Sequence, residues 1–295
     1  MSASFVIMAA GLGSRYGGIK QMEGVGPHGE ILLEYAVYDA LRAGFDRIVA
    51  VLRPDIVDDF RERVGRKLEK HTPLCYAVQD FSSLPDFYRL PDDRSRPFGT
   101  VHALLCAAPC LDGPFAVLNA DDYYGRNAIA SLRGALDGLQ NSGEGCMVAY
   151  RMKNTVSPYG SVSRGVCRLE GEQLCEIEEL RGIAPSENGR IMAGEREIPG
   201  DAPVSMNLWG FGRGVLEDME AYFRGFLRAL PPDDVSAECL LPVYVGDRLR
   251  QGTLRVRALE SGDCWFGMTY REDRAAAVRS LRSLIEQGVY PSVLY

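Results

Sequence analysis

The chain has 295 residues, 46% of them hydrophobic and 25% charged, with a formal net charge of −7. This composition is that of a globular protein, long enough for one large domain or two small ones. An acidic balance with no basic run longer than two residues argues against a nucleic-acid partner. No stretch approaches the roughly 18 apolar residues of a membrane span, and no basic, then apolar, leader opens the chain. A cytoplasmic protein without a membrane partner is expected.

The first half alternates strand and helix. Residues 4–9 (SFVIMA) read as a short buried strand, and 30–44 as a helix with Leu33, Val37, Ala40 and Leu41 on one face and Gly44 at its end. A strand over 47–53, a helix over 55–69 and a strand over 73–79 follow. Residues 81–98 form a long proline-broken loop, the kind that carries function in a compact domain. Next come a helix over 99–108, a strand over 115–122, a helix over 127–139 and a strand over 145–152. Such alternation implies right-handed crossovers and a mainly parallel sheet, with ligands at the carboxyl ends of the strands. The loops after the first, third and fourth strands then open on one edge.

Beyond residue 152 the pattern changes. Residues 160–180 read as two strands joined near Gly171, 204–211 as another, followed by a helix to Leu230. Helix over 237–252, strand over 253–261 and a closing helix over 271–288 complete the chain. The expected organisation is one domain, in which residues 153–295 form a lid over residues 1–152.

Eight cysteines stand at 75, 106, 110, 146, 167, 175, 239 and 264, none in a Cys-x-x-Cys pair, and the three histidines are isolated. That spacing gives no zinc site; eight reduced thiols are expected.

The first strand runs into MAAGLGSRYGGIKQ (8–21), a loop with four glycines and two cations. Glycines let backbone N–H groups approach phosphate closely. Two common templates fail. The dinucleotide fingerprint fits Gly11 and Gly13 but meets Tyr16 at its third glycine, and the P-loop ending Gly-Lys-Ser/Thr meets Gly18-Ile19-Lys20-Gln21.

The loop resembles the signature of the sugar nucleotidyltransferases, Gly-x-Gly-x-Arg, a spacer, then Lys. Later segments resemble that family in the same order: GEILLEY (29–35), GTVHA (99–103), VLNADDYYG (117–125), YGSV (159–162), IEEL (177–180) and SMNLWGF (205–211). The resemblance implies an α/β fold: a three-layer α/β/α arrangement with a mainly parallel mixed sheet, of the nucleotide-diphospho-sugar transferase type, and a β-rich substrate lobe. It implies transfer of a nucleoside monophosphate from a triphosphate to a phosphorylated acceptor, most often a sugar 1-phosphate, with Mg²⁺ as cofactor and pyrophosphate released. Both substrates are small molecules, and a homo-oligomer stays open.

By this resemblance Arg15, Lys20 and Asp121 are catalytic. Ala10, Gly11, Gly13 and Ser14 cradle the triphosphate, Gln79, Gly99 and Thr100 lie on the base side, and Gly160, Glu179 and Asn207 hold the acceptor. Thr100 also suits a helix cap. Asp121 is the magnesium ligand, with Asp122 either ligating or opening the next turn. The sequence departs from the family twice. Leu180 stands where a lysine holds the acceptor, with Arg181 adjacent. Gly267 stands where a second metal aspartate is usual; Asp263 is the substitute, and a single-carboxylate site the other reading. Three rivals remain: a cytidylyltransferase acting on phosphocholine or a similar acceptor, a catalytically weak nucleotide- or sugar-binding regulator, and an NADP-binding oxidoreductase.

Overall fold

A computed structural model describes residues 2–11, 23–139, 142–186 and 188–295. The unbroken apolar run near the N-terminus forms β1 (Ser4–Met8), buried on both faces. It pairs in parallel with β2 (Arg47–Leu52) and β4 (Phe115–Asn119), and β2 pairs in parallel with β3 (Leu74–Val78). Successive side chains on β1 point to opposite faces. Phe5 and Ile7 join an apolar cluster with α1 (Leu32–Ala43) and α5 (Arg126–Leu136). Val6 and Met8 join another with α4 (Thr100–Ala107), α6 (Val215–Ala229) and α7 (Leu241–Arg250). Helices on both faces explain why these strands read as continuous apolar runs.

The helix expected over 55–69 is a composite: a 3₁₀ turn (Pro54–Ile56), α2 (Val57–Phe60), a π turn (Arg61–Gly65) and α3 (Arg66–Leu68). Beyond β4 the expected parallel order gives way to antiparallel pairing. β11 (Pro203–Phe211) pairs antiparallel with β4, with β6 (Glu144–Arg151) and with β7 (Val162–Glu170). β8 (Gln173–Pro185) continues to β9 (Ile191–Ala193) and β10 (Arg196–Ile198), while β12 (Arg255–Glu260) lies between β8 and β6, parallel to β6. Strands from both sides of residue 152 therefore share one mixed sheet. A separate ribbon joins β5 (Asp122–Tyr123) to β13 (Phe266–Gly267), and α8 (Asp273–Glu286) closes the chain. No helix among the described residues is long and apolar enough to cross a membrane.

The cysteine expectation needs correction. Cys75, on β3, and Cys110, in the turn after α4, are joined by a disulfide with their Cα atoms 6.4 Å apart. They are separated by 35 residues, and only the packing of α4 against β3 brings them together.

The C-terminal tail packs against α1. The Tyr290 hydroxyl donates to Asp39 Oδ2 (2.5 Å) and lies 3.0 Å from the Tyr123 hydroxyl. Burial pushes the Asp39 carboxyl up from 3.8 to about 6, against the pull of Tyr290 and Arg126. A raised carboxyl holds its proton more tightly in the folded state. Its contribution is therefore full below about pH 4 and is lost as pH rises to about 6. Asp39→Asn is accordingly expected to gain stability relative to the wild type across that window, by up to ~3 kcal/mol. Urea unfolding at pH 4.5 and 7.5 checks this; a difference independent of pH would refute it.

Candidate active site

The ends of four neighbouring strands, β4, β1, β2 and β3, are locked together by main-chain bonds. Ala9 N donates to Val51 O (2.9 Å), Ala120 N to Met8 O (3.2 Å) and Gln79 N to Leu52 O (2.7 Å). The carboxyl ends of β1, β3 and β4 thus open side by side, as parallel pairing requires. Ala10 is buried and Gly11 exposed at the start of the glycine loop. Gly13, Ser14, Arg15 and Lys20 lie outside the described residues.

Of the residues expected on the base side, Gln79 is buried, and its Nε2 donates to Gly99 O (3.0 Å) and lies 3.4 Å from His102 Nδ1. Gly99 has φ of 84°, and a Cβ there would stand 2.9 Å from Cys239 O, so both dihedral and space demand glycine. Thr100 is a helix cap, but of a distant helix: its Oγ1 accepts from Leu241 N at the start of α7 (2.7 Å). His102 stacks on Phe223 at 5.1 Å, and burial pulls its pKa down to about 4, so it is neutral at physiological pH.

The acidic pair follows β4. Asp121 is half-buried, and its carbonyl accepts from Met268 N (3.1 Å). Asp122 is buried and opens β5 rather than a turn. Asn119 Nδ2 donates to its Oδ2 (2.9 Å), and the Tyr124 hydroxyl lies 3.2 Å from the same oxygen. That hydroxyl also accepts from Asn119 N (3.1 Å) and donates to Met206 O (2.7 Å). Gly267 pairs with Asp122 across the ribbon, and a Cβ at 267 would stand 2.2 Å from Asp122 Oδ1. The position that the family resemblance gives to a second carboxylate is therefore at the site, but holds no side chain.

Asp263 is engaged elsewhere. Its Oδ2 accepts from Ala128 N (2.9 Å) and its Oδ1 from Asn127 Nδ2 (2.9 Å), so it caps α5, whose own N-cap, Gly125, offers no side chain. Asp263→Ala is expected to cost about 1 kcal/mol of stability and to leave magnesium-dependent turnover within about threefold of wild type. Chemical unfolding and a magnesium titration of activity check this; a large rise in the magnesium requirement would restore Asp263 as a ligand.

Where acceptor contacts are expected, β11, β7 and β8 bring Ser205, Gly165 and Glu179 into one row. Burial pushes the Glu179 carboxyl up, opposed by Arg164 and Arg181. Asn207 sits in a bulge of β11 with φ of 62°; its backbone N–H donates to Ser205 Oγ (3.2 Å), and its buried Oδ1 has no hydrogen-bond partner among the described residues. Strain of this kind clusters at functional sites. Gly160 packs on Tyr270, whose hydroxyl would lie 2.4 Å from a Cβ and donates to Ser161 O (2.6 Å). Close packing within the fold is thus one reason for glycine here.

Sequence reasoning missed Arg164. It is buried on β7, over the Trp265 ring at 5.0 Å, with Asp122 and Glu179 drawing on its charge. Only the alternation of VSRGV (162–166), with an arginine where an inward residue falls, hinted at it. Among the described residues no three His, Cys, Asp or Glu side chains cluster as a cation cage.

The sequence profile of a family described as the MobA-like NTP transferase domain matches residues 5–184. Among solved structures, one from Bacillus anthracis, described as a "Putative Glucose-1-Phosphate Thymidylyltransferase" in complex with a sucrose, is similar with a TM-score of 0.65. The two are 15% identical, over 95% of this chain and 96% of that one. At that identity the likeness is one of fold. No curated protein matches the chain.

Proposed function

We propose that this chain, which belongs to the MobA-like NTP transferase family, transfers a nucleoside monophosphate from a triphosphate to a sugar 1-phosphate. An oxygen of the acceptor phosphate attacks the α-phosphorus, the bond to the β-phosphate oxygen breaks, and pyrophosphate leaves. Such a transfer asks for positioning and charge neutralisation rather than covalent help. The observation that carries the reading is that Asp121 and Asp122 follow β4, tied to the end of β1 on one side, and share with Glu179 the charge of the buried Arg164 on the other.

Mg²⁺ fits this donor set, because it takes one or two carboxylates and leaves its remaining positions to phosphate oxygens and water. Asp121 would hold it, with Asp122 Oδ1 beside it; Asp263, already committed to α5, would not. When bound, the ion neutralises charge on the transferring phosphate. Gly11–Ser14 would cradle the triphosphate, Arg15 fork its oxygens and Lys20 stand by the transferred group. Gln79 and the Gly99 turn, fixed to each other, would form the base pocket. Glu179 and Asn207 would read acceptor hydroxyls. The parts described suit a three-layer domain with a β-rich acceptor lobe formed by β7–β10.

A screen of triphosphates against sugar 1-phosphates and phosphocholine, reading released pyrophosphate, tests this. Turnover with a sugar 1-phosphate is expected. Turnover confined to phosphocholine would move the acceptor assignment. Tight triphosphate binding with no turnover for any pair would make the chain a binding regulator.

A further inference from the structure

We propose that a cavity bounded by Arg164 and Trp265 seats the phosphate of the acceptor, an inference that rests on the transfer reading above. The cavity, about 300 Å³, lies between the 154–159 turn, β7, β13 and the start of α8. Arg164 is 9% exposed, and its Nε and Nη2 donate to Thr155 O while Nη1 donates to Ser163 O (2.8 Å). A guanidinium has five N–H groups, so two remain without a partner among the described residues. Trp265 is also 9% exposed, and its buried Nε1 has no partner either. Three unpartnered N–H groups beside one cavity are costly unless something accepts from them, and a planar fork suits a phosphate edge.

Asp273, the carboxylate on the cavity wall, makes no bond to Arg164. Both oxygens of Asp273 are occupied, Oδ1 by the Ser157 hydroxyl (3.2 Å) and Oδ2 by Tyr270 N (2.7 Å). Arg279 adds a second positive charge to the wall. Gly267 lines the cavity and faces Asp122, so the seat borders the acidic pair. On its other side, Arg164 pairs with Leu180 across β7 and β8, next to the Gly165–Glu179 pair. Directly opposed residues of an antiparallel pair share a face, so a cation at 180 would reach the same seat. Arg164 thus supplies, on the face it shares with Leu180, the charge that Leu180 lacks.

Of the chain's two tryptophans, Trp209 is fully buried, which leaves Trp265 as the fluorescent reporter of the cavity. Inorganic phosphate and glucose 1-phosphate are each expected to change its emission saturably. Arg164→Leu should weaken both by ~10-fold or more, and Arg164→Lys, which keeps the charge but not the fork, by ~3–10-fold. Adding Leu180→Lys to Arg164→Leu should recover most of the loss. In turnover, the same variants should raise the acceptor KM and leave the triphosphate KM unchanged. A folded Arg164→Lys or Arg164→Leu protein with wild-type phosphate binding and acceptor KM would overturn the proposal, as would a wild type that binds neither probe. If phosphate binding depends on Arg164 yet no acceptor yields pyrophosphate, the transfer reading falls and the anion seat stands.

Discussion

Asp121→Ala is expected to lower turnover by about three orders of magnitude, equivalent to roughly 4 kcal/mol of transition-state stabilisation. One tie of this segment is made by the main chain, Met268 N to Asp121 O, and survives the substitution. The substituted protein should still fold and unfold cooperatively. The loss should not be rescued by raising either substrate, because what is removed neutralises charge during transfer. Steady-state kinetics beside a thermal melt measure both. Normal turnover in magnesium would contradict the assignment of Asp121. Lys20→Ala is expected to act in the same direction by about two orders of magnitude.

Gly267→Asp, which would restore the carboxylate that the resemblance leads one to expect, should instead be harmful. A Cβ at 267 would stand 2.2 Å from Asp122 Oδ1 and 2.8 Å from Trp265 Cζ2. Neither neighbour yields easily: Asp122 is tied to Asn119 and Tyr124, and Trp265 packs under Arg164. Overpacking of this kind costs about 1–3 kcal/mol, and a second carboxylate beside Asp122 adds like-charge repulsion. Gly267→Ala isolates the steric part. Both variants should melt lower than wild type, Gly267→Asp most, with turnover reduced by at least tenfold. A more active Gly267→Asp enzyme would show that the acidic pair is incomplete as it stands.

The ribbon that places Gly267 explains what the sequence could and could not disclose. β1, β2 and β4 were legible because helices bury both their faces and leave apolar runs. β5 and β13 have two residues each, too few to show any period. Their pairing is a tertiary fact that alone brings residue 267 to Asp122. The same limit applies to Asp263 and Thr100. Asp263 was expected beside a metal and Thr100 on the base side or as a local cap, but the helices they cap begin at Arg126 and Leu241. Antiparallel order beyond β4 was hidden because strand periodicity carries no direction. Arg164 looked like an ordinary charged strand residue, and its burial follows from the packing of Trp265 and the 154–159 turn. Asn207 was legible as a residue, through its family segment, but not as the strained centre of a bulge.

The central claim is that the α-phosphorus moves to an acceptor phosphate. Incubating the protein with Mg²⁺, sugar 1-phosphates and triphosphates labelled at the α-phosphorus tests it directly. The prediction is a labelled nucleoside diphosphate sugar, with one pyrophosphate released per label transferred. Label remaining in the triphosphate for every pair, under conditions where the triphosphate is bound, would contradict it.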